Sequence, residues 1–426
     1  MLKRFLIASF IFVILIQTVP AVQVLAEGPK IPCNSYILLD LDNGRVLAEQ
    51  DADKKIYPAS TTKIMTAILA LELNPLNKLM TASRAAVIEI GIGGQNIGIQ
   101  EGEQLYFKDL LNAVLLNSAN EGANIIAENS GMTRNEFIKK MNEKAKKIGA
   151  THTHFVNTHG MPDPNHYTTA RDLGIIARYA MLLSPASKTF RKIVAKKDYT
   201  LPPTNKHTVW YGLKVTNKLP NYKSEYFQKV LGVKTGYTRI SGNNFVGCVE
   251  NYEGKRLLSV VAGIFSAVPT SDKFYFTRKL MEYGYKENST RQVSHQGEFA
   301  GFLPVLNQPG GIDKVNLVVS KDVSAFLPNT NSDLNRRVMD AAQNLKAPIK
   351  AGTKVAVLKY YLDGRQISWV PLLTEKDIPL SFDSIRNMII LIFSGLIAVF
   401  VLLAYIINRR GAKKDEYKTS KPVRRY

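Results

Sequence analysis

The chain has 426 residues, 56 Lys and Arg against 35 Asp and Glu, a formal net charge of +21 and a pI near 9.7. That length is too great for one comfortable core, and two cysteines, Cys33 and Cys248, exclude a disulfide framework. The surplus of positive charge selects an anionic environment.

Residues 1–26 open with Lys3 and Arg4, continue through an apolar run from Phe5 to Ile16 and finish at Val24-Leu25-Ala26. This is the pattern of a secretory signal peptide removed after Ala26. Between residues 27 and 288, strand-like and helix-like stretches alternate. Tyr36 to Asp42, the Asn43-Gly44 turn and Val46 to Glu49 predict a β-hairpin. Thr61 to Leu73 predicts a helix stopped ahead of Pro75. Phe107 to Ala127 and Arg134 to Ile148 carry helical spacing of apolar residues. Phe245 to Glu250 and Leu257 to Phe265, joined at Glu253-Gly254, predict antiparallel strands.

Past Glu287 the pattern changes to short β segments separated by Gly, Pro and Asn: Val315 to Ser320, Val355 to Leu362 and Ser368 to Leu373. Residues 289–380 are therefore expected to form a small all-β domain, a stalk ahead of a juxtamembrane linker at 381–387. Met388 to Ile407 is an uncharged apolar run, long enough at ~1.5 Å per residue to cross about 30 Å of hydrocarbon as a helix. The tail at 408–426 carries eight Lys and Arg against Asp415 and Glu416. By the positive-inside rule the tail is cytoplasmic and everything before it is exported. The tail supplies +6 and Lys3 with Arg4 +2 of the total, so about +13 remains outside the cell. Nucleic acid is thereby excluded as the partner, and wall polymers or lipid head groups take its place.

Three short motifs fall in order along the exported part: Ser60-Thr61-Thr62-Lys63, Ser118-Ala119-Asn120 and Lys234-Thr235-Gly236. Each alone is weak. Ser60 would read as a helix cap, Ser118 and Asn120 as a turn, and the third as a surface tripeptide. Together, in this order, they resemble the motif set of serine acyltransferases. A hydroxyl needs a base within reach, and Lys63, one turn from Ser60, can be that base only if desolvation and neighbouring positive charge lower its pKa. A helix N-terminus disfavours a charged Lys63 and offers N–H groups to an oxyanion. Lys234, Thr235 and Gly236, in a strand-like setting, suit a substrate backbone ending in a carboxylate.

With these motifs the chain resembles the serine-type D-alanyl-D-alanine carboxypeptidases, the low-molecular-mass penicillin-binding proteins. The likeness extends to Leu39-Asp40-Leu41-Asp42-Asn43-Gly44-Arg45-Val46-Leu47, His154-Phe155-Val156-Asn157-Thr158-His159-Gly160, Thr169-Ala170-Arg171-Asp172-Leu173 and Lys234-Thr235-Gly236-Tyr237-Thr238. In the β-rich part it includes Lys346 to Gly352 and Tyr361-Leu362-Asp363-Gly364. The resemblance implies an α/β (α+β) catalytic domain of the penicillin-binding and β-lactamase type over residues 27–288, with an antiparallel sheet and helices. A small all-β domain and a C-terminal transmembrane helix at 388–407 would follow.

It further implies Ser60 as nucleophile, Lys63 as general base, Ser118 as proton relay and Asn120 as the residue orienting Lys63 and the substrate amide. Lys234, Thr235 and Gly236 would bind substrate, and the backbone N–H groups of Ser60 and Tyr237 would form the oxyanion hole. His159 and Asp172 are implied helpers of the deacylating water. The sequence departs from the family pattern at Tyr237, where some relatives carry histidine, and at Arg239-Ile240-Ser241-Gly242.

Partners implied are peptidoglycan stem peptides ending in D-Ala-D-Ala, β-lactams as covalent inhibitors, and the membrane through the C-terminal helix, in a Gram-positive-type bacterium. No cofactor is implied. His152, His154, His159 and His166 cluster in sequence, but no carboxylate or cysteine completes a metal-ligand spacing, so no metal is expected. The alternatives are a D,D-endopeptidase, which needs the same acylation machinery, a β-lactamase, disfavoured by the missing E-x-x-x-N motif, and a non-catalytic wall-binding protein.

Overall fold

The computed structural model describes residues 28–211, 214–265, 273–306, 314–330, 336–341, 345–380 and 382–419. The expected signal peptide lies outside them. The chain divides into two compact units, one of Met1–Ser289 with Phe326–Ser332 and one of Thr290–Ala325 with Asp333–Tyr426.

The first unit is built on a five-stranded antiparallel sheet of β1 (Ser35–Asp40), β2 (Val46–Gln50), β3 (Lys229–Thr238), β4 (Gly242–Glu250) and β5 (Arg256–Ile264), in the order β2-β1-β5-β4-β3. All six residues of β1 are buried, because both faces of the sheet are covered. Strand side chains alternate between faces. Ile37 and Leu39 enter one cluster with Val246 and Val260, whereas Tyr36 and Leu38 enter another with Phe245 and Val261. The second cluster is closed by Phe274, Leu280 and Met281 of the helix Lys273–Lys286. The hairpin turn after β1 has Gly44 at φ +77, a conformation glycine reaches without a side-chain clash.

The other face carries the helices. Lys63–Leu73, here α1, is buried at every position from Lys63 to Ala70, as suits a helix with neighbours on all sides. The helical spacing expected over Phe107 to Ala127 is interrupted at the turn expected around Ser118 and Asn120. Phe107–Asn112 runs into a π-helical turn at Ala113–Asn117, Ser118 turns left-handed at φ 68, and helix α2 begins at Asn120 and ends at Glu128. The apolar spacing is real, since both pieces pack in the core, and the Ser118 conformation ends the first of them. Helix α3, Arg134–Lys147, starts in a capping box of Thr133 and Glu136.

The second unit contains a six-stranded sheet with its own core of Leu317, Val319, Leu358, Tyr360, Val370 and Leu372. Lys354–Leu362 and Arg365–Thr374 pair through Asp363 (φ 54) and Gly364 (φ 72), a two-residue turn of the type that fits strand twist. Phe382–Thr419 forms one helix, within which Ile385–Arg409 is long and apolar enough to cross a membrane.

Candidate active site

Ser60 sits in the single helical turn Ala59–Thr62 that feeds α1. That turn is pinned from three directions. The side-chain amide of Asn244 on β4 donates to the carbonyls of Tyr57 (2.8 Å) and Pro58 (3.1 Å), and its oxygen accepts from the Gly263 N–H. Thr61 bonds back to Pro58 O at 2.6 Å. Thr62 Oγ1 meets His166 Nε2 at 2.8 Å, while His166 Nδ1 accepts the Val156 N–H at 3.1 Å. With Nδ1 an acceptor, the His166 proton resides on Nε2 and the ring is neutral. Burial lowers its pKa to about 4. Ala59 is held at φ +49, an uncommon conformation for a residue with a side chain.

Lys63, on the first turn of α1, is fully buried. Its Nζ lies 2.9 Å from Ser60 Oγ, 2.7 Å from Asn120 Oδ1 and 2.8 Å from the His159 carbonyl. Burial lowers its pKa well below the ordinary lysine value, and the positive charge of Lys234 lowers it further, with Glu121 opposing. A neutral amine has two N–H bonds and one lone pair. Of its three neighbours only Ser60 Oγ carries a proton to offer that lone pair.

Ser118 and Asn120 face the same cleft because of the left-handed break between the π-turn and α2. Asn120 holds two elements at once: its oxygen accepts from Lys63 and its Nδ2 donates to Ile90 O at 2.9 Å. Its backbone N–H reaches Gln95 O at 2.8 Å, and Glu121 Oε1 accepts the Ile97 N–H at 2.6 Å. These bonds fasten the glycine-rich segment 91–98, which supplies Ile92, Gly93 and Gln95 to the cleft wall.

Lys234, Thr235 and Gly236 lie on β3, where Lys234 is opposite Val246 and Thr235 opposite Phe245. Lys234 is buried, its Nζ bonded to Thr235 O at 3.1 Å; burial and the nearby charge of Lys273 lower its pKa to about 7. A Cβ on Gly236 would stand 3.1 Å from Ser60 N and 3.0 Å from Pro58 O, so the absent side chain lets strand and nucleophile approach. The Tyr237 side chain is exposed. The cleft, about 590 Å³, is lined by Ser60, Ser118, Asn120, Thr235, Gly236 and Tyr237 among others.

His159 reaches Lys63 through its main-chain carbonyl. Its ring accepts the Met161 N–H at 3.3 Å, and burial lowers its pKa to about 3. It lines a separate depression with Glu89 and Arg134. Asp172 also stands apart from the cleft lining. Its carboxylate accepts from His152 N (2.6 Å) and Thr153 Oγ1 (2.7 Å), and its own N–H is capped by Thr169. Cys33 and Cys248 are both free thiols. Among the described residues no group of His, Cys, Asp or Glu is arranged to hold a metal.

Sequence reasoning missed three residues here. Lys273 lines the cleft and bears on Lys234, Thr216 Oγ1 accepts from Thr235 Oγ1 at 2.8 Å, and Asn244 holds the nucleophile turn. None belongs to a motif, and only the return of β4, of the 215–217 segment and of the helix Lys273–Lys286 brings them in.

The family model described as D-alanyl-D-alanine carboxypeptidase matches residues 22–266, and that described as penicillin-binding protein 5, C-terminal domain, matches residues 289–380. The chain is 26% identical over 385 residues to the D-alanyl-D-alanine carboxypeptidase DacF of Bacillus subtilis, covering 88% of this chain and 95% of the relative. To DacB2 of Mycobacterium tuberculosis it is 30% identical over 269 residues, covering 62% and 86%. Crystal structures of penicillin-binding protein 5 from Haemophilus influenzae superpose with a TM-score of 0.62 at 25% identity, covering 83% of this chain and 99% of that one.

Proposed function

Because the chain belongs to the peptidase S11 family of D-alanyl-D-alanine carboxypeptidases, serine hydrolases, we propose that it removes the terminal D-alanine from peptidoglycan stem pentapeptides through an acyl-enzyme on Ser60. The observation that carries this reading is the buried Lys63 amine, 2.9 Å from Ser60 Oγ and without a carboxylate partner among its three contacts.

Lys63 takes the Ser60 proton as Oγ attacks the carbonyl of the penultimate D-alanine. The amine works as a base because the site keeps it from being charged. The Ser60 and Tyr237 N–H groups receive the oxyanion, at the point where Gly236 leaves space. Ser118 passes a proton to the departing D-alanine nitrogen. Lys234 supplies positive potential to the terminal carboxylate, Thr235 binds it by hydrogen bond, and Lys273 adds charge at that end of the cleft. Water then cleaves the ester; His159 acts there through the Lys63 contact of its carbonyl, and Asp172 by fixing residues 152–153. A β-lactam enters by the same attack and stays as a longer-lived ester.

The helix over Ile385–Arg409 anchors the protein, with the basic tail cytoplasmic and residues 27–380 outside the cell.

The test labels the purified protein with a fluorescent penicillin beside a Ser60→Ala variant and follows D-alanine release from a D-Ala-D-Ala peptide. A stable adduct and release, both lost in the variant, are expected. Rapid penicillin turnover without an adduct would indicate a β-lactamase, and silence in both assays a wall-binding protein.

A further inference from the structure

A second pocket, of about 380 Å³, lies beside the catalytic one and shares no lining residue with it. The Thr216 N–H donates to Leu116 O at 3.0 Å, so residues 115–118 and 215–217 run side by side. Ser118 and Thr216 line the Ser60 cleft, whereas Asn117, Val215 and Asn217 line the second pocket. A ligand there would sit one residue along the chain from two residues of the active cleft.

Two observations define what it would take. Lys196, Lys197, Lys214 and Lys218 line it against the single acid Asp198. Lys196 is fixed, its Nζ 2.8 Å from Asn112 Oδ1 and 4.1 Å over the Tyr199 ring, while Lys197, Lys214 and Lys218 are exposed. The pocket therefore favours an anion. Asn117, also in the lining, is only 5% exposed, and its Oδ1 is buried with no hydrogen-bond partner. An unpaired buried acceptor is costly, and an incoming donor relieves that cost. The ligand must therefore bring an N–H group together with its negative charge. A peptide carboxylate next to an amide does so; a phosphodiester has no N–H to give. The volume falls within the range of about 300–1,000 Å³ typical of small-ligand sites, which suits a short peptide.

We propose that this pocket is a second peptide site, binding the carboxylate and an adjoining N–H of another wall stem peptide while the first occupies the Ser60 cleft. The proposal rests on the carboxypeptidase reading for the identity of its ligand. A second stem held here would make the enzyme favour substrates in which stems are crowded or joined.

The test uses the full chain in detergent with its Ser60 cleft already filled by covalent penicillin, and measures binding of the tripeptide L-Ala-γ-D-Glu-L-Lys by calorimetry. Binding should persist on the acylated protein. It should weaken at least about 10-fold in a Lys214→Glu/Lys218→Glu variant and in Asn117→Leu, and likewise when the peptide carboxylates are amidated. The double lysine variant should still release D-alanine at the wild-type rate from diacetyl-Lys-D-Ala-D-Ala, whose single negative charge is the terminal carboxylate that the Ser60 cleft takes. No binding to the acylated protein, or binding indifferent to these changes, overturns the proposal. So does binding of a glycerol-phosphate polymer in place of the tripeptide, which would make the pocket a polyanion site. Failure of the carboxypeptidase reading is distinct: the wild type would neither take the penicillin nor release D-alanine.

Discussion

The carbonyl oxygen of Ala59 stands 1.8 Å from where a side chain on Gly160 would begin. The residue before the nucleophile and the residue after His159 thus touch backbone to backbone. Gly160 also sits at φ +92, which any other residue adopts with strain. Gly160→Ala should displace the Ser60 turn, lowering stability by about 3 kcal/mol and abolishing penicillin labelling. Urea unfolding and labelling of the same sample check this, and a fully active, fully stable variant would contradict the packing described.

Gly236→Ala is a milder intrusion, with its new methyl 3.0–3.2 Å from Pro58 O, Ser60 N and Ala59 Cβ. Stability should fall by only about 1 kcal/mol, while the acylation rate falls roughly 10²-fold, the order of losing one oxyanion donor. Stopped-flow acylation beside thermal unfolding separates the two effects. Equal loss in both would mean that the glycine serves the fold alone.

Asn120→Asp keeps an acceptor 2.7 Å from Lys63 Nζ but gives it a negative charge. A carboxylate favours the protonated amine, so the Lys63 pKa rises and the base is charged at neutral pH. The acid limb of kcat/KM should move to higher pH, with a loss of about 10²-fold at pH 7. A pH profile of D-alanine release shows whether the limb moves.

Lys234 acts as a cation, and its pKa of about 7 places an alkaline limb near that pH. The Lys273 charge helps lower it. Lys273→Met should let Lys234 keep its proton longer, moving the alkaline limb of kcat/KM upward by roughly half a unit or more while KM rises. An alkaline limb that stays in place would assign it to another group.

His166 and His159, with folded pKa values of about 4 and about 3, stay neutral where an unfolded histidine, near 6.5, takes a proton. The unfolded state therefore binds more protons as pH falls below 6.5, and stability drops until the folded pKa is reached. His166 alone accounts for about 3 kcal/mol by pH 4. In His166→Gln, stability at pH 7 should be lower but its decline toward pH 4 shallower. Denaturant midpoints at pH 7, 5.5 and 4 give both quantities, and an unchanged slope would count against His166 as the titrating group.

The sequence by itself determined the three motifs, the hairpin at Asn43-Gly44, the helix carrying Lys63 and the long apolar helix near the C-terminus. Each is a local pattern: a turn dipeptide, a 3.6-residue period or an uncharged run, and local sterics and solvation suffice to express it. Spacing of three between Ser60 and Lys63 is enough to place them one turn apart. The polar residues around Ser118 already interrupt the apolar period from Phe107 to Ala127, but only the tertiary structure decided that the interruption is a left-handed serine, tolerated there by its surroundings. It also decided the state of Lys63. A lysine in sequence is a cation, and it becomes a base only where α1 is enclosed on every side and Asn120, His159 and Lys234, distant in sequence, arrive around its amine. Thr216, Lys273 and Asn244 escaped reading for the same reason: their roles come from positions across the fold, which no local spacing encodes.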